Sequence, residues 1–197
     1  MKSKEKIRQA IWKLMEKNKI ADFPLPCYGR IPNFKGSVIA CEQIKQLSEF
    51  KNAKCVFCAP DYVLKKVREI VLEEGKILAV ALPHMKGFLE IKERKRINEA
   101  TTIRGFSKYG IPLKTKVDLF VQGSVAVDRK GNRLGKGKGY GDKEWDWLKK
   151  HNLLAPETKI VTIVHDIQIL DDFSYLMTEK DKPVNYILTP TKIIKII

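Results

Sequence analysis

Two short runs with no polar residue inside them constrain this chain most. Cys55-Val-Phe-Cys-Ala59 and Ile77-Leu-Ala-Val-Ala-Leu82 are each strand-length, and neither alternates polar with apolar residues. A strand of that kind belongs inside a sheet covered on both faces. Between them Tyr62 to Glu74 reads as a helix stopped by Gly75, so the unit is a βαβ crossover and its strands run parallel. Further strands are expected at Val117–Val121, Ser124–Val127, Lys159–Val164 and Val184–Thr189. Helices are expected from a Ser3 cap to Asn18, over Val38–Phe50, and from Asp142 to about His151. In the first helix Ile7, Ala10, Ile11, Leu14 and Met15 form the apolar stripe. The stretch Phe23–Phe34, with three prolines, should be neither helix nor strand, and Thr101–Lys116 reads as a polar connection of undetermined structure. With 197 residues and no internal repeat, the expectation is one domain, residues 1–197: a three-layer α/β/α fold around a mostly parallel sheet.

Apolar residues make up 44% of the chain, and no long uncharged apolar run occurs, so no membrane span is expected. The basic N-terminus runs into a helical pattern without the apolar core of a signal peptide, which makes the cytoplasm the expected compartment. Cys27, Cys41, Cys55 and Cys58 are too few for a disulfide framework. Cys55 and Cys58 have metal-site spacing, but residues three apart on a strand face opposite sides, so no metal is expected there. The 38 Lys and Arg against 23 Asp and Glu leave a charge of +15, which attracts anions in general: nucleic acid, nucleotides or polyglutamylated small molecules.

Local clustering narrows that choice. Gly135, Gly137, Gly139 and Gly141 alternate with Lys136, Lys138 and Tyr140, and residues 129–150 hold eight Lys or Arg against three Asp or Glu. Alternating glycines let a backbone approach an anion and turn successive N–H groups toward it, and a helix starting just behind adds its dipole. Asp142, at that helix start, is either an N-cap or a ligand for magnesium bridging phosphate oxygens. The segment is neither a Walker A loop nor a Rossmann fingerprint. On the first helix Lys4 and Arg8 stand four apart along the edge of the apolar stripe, where they either reach a ligand or snorkel past the core edge.

The segment Gly123-Ser-Val-Ala-Val-Asp-Arg-Lys-Gly-Asn-Arg-Leu-Gly-Lys-Gly-Lys-Gly-Tyr-Gly-Asp142 resembles the signature of the 5-formyltetrahydrofolate cyclo-ligase family. Lys4 and Arg8 are similar to the Lys-x-x-x-Arg of that family's first helix. His165-Asp-Ile-Gln168 and Asp181-Lys-Pro-Val-Asn-Tyr-Ile-Leu-Thr-Pro190 are similar to its closing motifs. The opening segments Ile20–Pro24 and Arg30–Gly36 look most like the methenyltetrahydrofolate synthase domain-containing subfamily. The resemblance implies ATP and Mg²⁺ as cofactors and a folate-like substrate, with Arg133, Lys136, Lys138 and Tyr140 around the nucleotide. Lys4 and Arg8 would lie on the phosphates and Asp142 near the magnesium, with Lys136 and Arg133 serving the chemistry and Gly135, Gly137 and Gly139 shaping the ATP loop. Gly141 stands where the family has a second tyrosine, Lys180 where it has histidine, and Asn185 where it has aspartate. The family's folate-holding stretches have no clear counterparts around Pro60–Tyr62 or Phe106–Lys116.

The function expected is therefore an ATP-dependent 5-formyltetrahydrofolate cyclo-ligase that forms 5,10-methenyltetrahydrofolate through a phosphorylated formyl intermediate. The alternatives are a non-catalytic nucleotide- or RNA-binding protein on the same fold, or an ATP-dependent enzyme with another substrate. No aromatics interleave with the lysines as a base-stacking platform requires, so nucleic-acid binding is expected to be weak and sequence-independent at most.

Overall fold

The computed structural model describes residues 3–196. An eight-stranded sheet forms its centre. Its strands are β1 (Cys55–Cys58), β2 (Ile77–Ala81), β3 (Phe88–Ile91), β4 (Ile111–Pro112), β5 (Val117–Gly123), β6 (Leu154–Ile163), β7 (Tyr186–Leu188) and β8 (Ile193–Lys195). They lie in the order β8-β7-β6-β5-β1-β2-β3-β4. The five strands from β7 to β2 are parallel, while β8 and β3 pair antiparallel at the margins and β4 pairs antiparallel with β3. Every residue of β1 and β2 is buried, and because neighbouring residues on a strand face opposite sides, both faces of the sheet are covered. That is the expected α/β layering, with a sheet that is mixed at its margins.

The marginal strands β3, β4 and β8 have no counterpart in the sequence reading. They are two to four residues long and border connections that read as polar. The Thr101–Lys116 connection follows a short helix at Ile97–Ala100 and itself contains a helix at Ile103–Tyr109 that leads into β4. Of the segment Ser124–Val127 only Ala126 and Val127 are in a strand, Ala126–Asp128, which joins Arg133–Leu134 and Ile169–Leu170 in a separate three-stranded sheet.

The single helix expected over Val38–Phe50 is broken. It becomes a helix at Ser37–Glu42, a 3₁₀ turn at Gln43–Gln46 and a helix at Ser48–Asn52, with Leu47 extended at φ −71° and ψ 130°. The reason lies in the spacing of Cys41, Ile44, Leu47 and Phe50, all buried. A strict step of three drifts by about half a turn over nine residues of an α-helix, so the four share one core only if the helix tightens or breaks. Asn33–Phe34 also departs from expectation, pairing antiparallel with Ala21–Asp22.

Helix α1 (Lys4–Lys17) begins at the Ser3 cap, whose hydroxyl accepts from the Lys6 N–H. Its buried face is Ile7, Ile11, Trp12 and Met15, whereas Ala10 and Leu14 are exposed. The Trp12 indole, which donates to the Arg30 carbonyl at 3.0 Å, turns the stripe by part of a turn from the expected one. Helix α2 (Lys65–Glu73) packs on β1 and β2. Helix α3 (Tyr140–Lys150) follows the glycine loop. All four cysteines are free and buried, and burial pushes their thiols up to about 12.

Candidate functional site

From β1 the chain crosses to β2 on one side and later returns to β5 on the other. The carboxyl ends of β1 and β5 are therefore the topological switch point, where open α/β sheets form their ligand crevice. A cavity of about 490 Å³ lies there. Its walls come from the turns after β1 and β2, the end of β5, the glycine loop and the first turns of α1 and α3.

The site residues read from the sequence all line this cavity: Lys4, Arg8, Arg133, Gly135, Lys136, Gly137, Lys138, Gly139, Tyr140 and Asp142. Arg8 Nε donates to the Gly135 carbonyl at 2.7 Å and tethers the loop to α1. Lys4 Nζ lies 2.7 Å from both carboxylate oxygens of Asp181, so neither cation merely snorkels past the core. Gly137 and Gly139 adopt φ of +101° and +67°, conformations that favour glycine. Gly135 and Gly141 serve another purpose, because a Cβ at either would crowd the Arg133 guanidinium, at 2.8 Å from Gly135 and 3.3 Å from Gly141.

Arg133 is 8% exposed and lies 3.3 Å from Asp142. Asp142 also accepts the Lys182 backbone N–H at 3.1 Å. It is not the N-cap of α3, since the helix starts two residues earlier and Gly139 occupies the cap with no side-chain hydrogen bond. The N-terminal N–H groups of α3 thus begin at the cavity wall.

Several cavity residues had escaped the sequence reading. Asp61 follows β1 at the switch point and sits 3.6 Å from Lys136, which strand topology would have located. Glu144 is 5% exposed; burial, with the Asp61 charge next, pushes its carboxyl up from 4.5 to about 8. Gln122 is 2% exposed at the end of β5. His84 and Met85, after β2, hold φ of 57° and 56°, and the His84 ring nitrogen is 3.2 Å from the Tyr140 hydroxyl. Left-handed backbone at two successive side-chain-bearing residues beside a cavity is strain of the kind that functional sites retain.

Other motif residues hold the scaffold. Gln168 donates to the carbonyls of Ser124 and Val125, Asn185 accepts from the Ile160 N–H, and Asp128 accepts the N–H groups of Lys130, Asn132 and Phe173. Trp147 stacks on Phe88 at 4.1 Å and Trp145 meets Phe120 edge-on at 5.4 Å. Both indoles are engaged in packing.

The glycine loop and the cations Lys4, Arg8, Arg133 and Lys136 meet at the switch point of a doubly wound sheet, where α/β domains of this type form their ligand crevice. The 5-formyltetrahydrofolate cyclo-ligase family model matches residues 1–190, and the chain belongs to that family. The human methenyltetrahydrofolate synthase domain-containing protein is 42% identical over 98% of this chain and 53% of its own length. The chain therefore spans about half the length of the curated relatives of that name. A probable 5-formyltetrahydrofolate cyclo-ligase of Schizosaccharomyces pombe is 28% identical over 81% of this chain and 86% of its own. Among solved structures, the methenyltetrahydrofolate synthetase of Aquifex aeolicus superposes with a TM-score of 0.63 at 20% identity, covering 98% of this chain and 92% of that one. Among the described residues no helix is long and apolar enough to cross a membrane.

Proposed function

We propose that this domain converts 5-formyltetrahydrofolate to 5,10-methenyltetrahydrofolate at the expense of ATP. The observation that supports this reading best is the convergence of Lys4, Arg8, Arg133 and Lys136 with the glycine loop on one cavity at the switch point. In this reading the γ-phosphoryl group passes to the formyl oxygen, N10 attacks the activated carbon, and the C–O bond breaks with release of phosphate. The protein needs no nucleophile of its own. It has to align the phosphoryl group with the formyl oxygen and offset charge on the phosphates, which the four cations and the N–H groups of the loop and α3 are placed to do.

Magnesium binds through one or two carboxylates plus substrate phosphates and does not need a protein cage. Among the described residues no group of three His, Cys, Asp or Glu could hold a metal by itself, so Asp142 together with nucleotide oxygens is the fitting donor set. Bound there, the ion would neutralise charge on the phosphates.

Calorimetry with Mg-ATP and the absorbance of the methenyl product test the reading separately. Lys136→Ala should weaken Mg-ATP binding by roughly ten- to a hundredfold, the loss of one charged hydrogen bond. Unchanged affinity would remove the loop from the site. ATP binding without turnover at high folate would keep the nucleotide site and exclude the cyclo-ligase.

A further inference from the structure

Gln122 is the penultimate residue of β5, opposite Thr162 of β6, and is one of the residues that line the cavity. Both amide atoms are buried, and among the described residues neither has a hydrogen-bond partner. Beside it the Arg133 Nε is likewise buried and without a partner among the described residues. The amide reaches across to α3, where a Cβ at Gly141 would stand 2.4 Å from Gln122 Oε1. Any side chain at position 141 would have to share its space with this amide.

A buried amide lacking partners is costly, and a leucine or methionine would fill the same volume without that cost. Such a group is retained where it meets its partner only in the bound state. A glutamine amide presents a donor and an acceptor side by side, and it pairs best with an uncharged edge that presents the converse. Glutamine pairs with the edge of adenine in this way. The last torsion of a glutamine is broad, so the amide turns toward the cavity without leaving its rotamer. The cations of the cavity suit phosphates, whereas Gln122 is neutral.

We propose that Gln122 is a specificity-determining residue that reads the uncharged amino-imine or lactam edge of a heteroaromatic ring, and that Gly141 is a glycine to leave room for it. The inference rests on the reading above, in which both candidate ligands carry such a ring: the nucleobase of ATP and the pteridine of the folate.

Gln122→Met, with Gln122→Leu as a second variant, separates recognition from structure. In the ligand-free protein the apolar variant should melt higher by about 2 to 4 °C, because the unpartnered amide is gone. Binding of magnesium tripolyphosphate, which has no ring, should be unchanged. Affinity for one ring-bearing ligand should fall about tenfold or more. Loss on Mg-ATP, with a smaller preference over inosine triphosphate, identifies the nucleobase; loss on 5-formyltetrahydrofolate alone identifies the pteridine. Lower melting with unaltered affinities, or failure of both variants to fold, would make Gln122 a structural residue and overturn the inference. Unaltered affinity for both ligands in a variant of normal stability would overturn it while leaving the proposed function intact. A wild-type protein that binds neither ligand would end both.

Discussion

Lys4 Nζ lies 2.7 Å from both carboxylate oxygens of Asp181, a contact across 177 positions that fastens the first turn of α1 to the segment before β7. Asp181 also accepts the N–H and hydroxyl of Thr178, so the ammonium is held by a carboxylate that is itself fixed. A cation restrained in this way is held at the cavity wall in one orientation.

Lys4→Met separates the two roles of that contact. The pair is partly exposed, at 29% and 20%, so its loss should lower stability by no more than about 1 kcal/mol. Mg-ATP affinity should fall about tenfold, the effect of removing one charged contact with phosphate. Urea melts and calorimetry on the same samples distinguish the two. A large stability loss with unchanged affinity would make Lys4 a structural residue.

Asp142 offers the converse case. It faces Arg133, whose side chain is only 7% exposed, and removing one partner of a buried ion pair leaves the other charge uncompensated. Asp142→Ala should therefore destabilise the ligand-free protein by about 3 kcal/mol, measured by urea denaturation. Saturating metal-free tripolyphosphate, which does not call on Asp142 as a magnesium ligand, should recover part of that loss, because phosphate supplies the missing negative charge. No recovery would place the phosphates away from Arg133.

The legible parts of this chain were those in which local chemistry and tertiary role agree. The βαβ unit, the Ser3 cap and the glycine loop each required particular residues at particular spacings. What was not legible depended on distant partners. The marginal strands β3, β4 and β8 are strands only because a neighbour is there to pair with. The break at Leu47 was encoded in the step of three among its apolar neighbours, yet a helical reading took that step as amphipathic. For Glu144 no sequence signal existed, because it sits in an ordinary helical stretch and owes its burial to a cavity whose other walls come from distant segments.

Two buried carboxyls should tilt the pH dependence in opposite directions. At Glu90 burial acts to raise the carboxyl, but hydrogen bonds outweigh it, from Lys92 and from the Thr115 and Lys114 backbone, and hold it at about 2. Its contribution is present above the ordinary value of 4.5 and is lost as pH falls toward 2. Glu144 is raised to about 8, so its contribution is present below 4.5 and is lost as pH rises through 8. Glu144→Gln should therefore match the wild type near pH 4.5 and exceed it by a few kcal/mol above pH 8, as an uncompensated buried charge is removed. Thermal melts from pH 4 to 9 test this, and parallel curves for the two proteins would refute it.

Gly141 and Gln122 should be energetically coupled, with a sign fixed by their geometry. Alanine is favoured over glycine in a helix by up to about 1 kcal/mol, and Gly141 lies in the first turn of α3, where the gain is smaller. In the wild type a Cβ would stand 2.4 Å from Gln122 Oε1 and 3.3 Å from the Arg133 guanidinium, so the amide has to move. Gly141→Ala alone should thus be neutral or destabilising. With Gln122→Ala already in place, the nearest obstacle is gone and the same change should stabilise by about 0.5 kcal/mol. A double-mutant cycle on urea denaturation reads the difference directly, with a coupling of about 1 kcal/mol expected for residues in contact. Additive effects of the two substitutions would mean that the amide has somewhere else to go, and that glycine at 141 reflects a need other than room for Gln122.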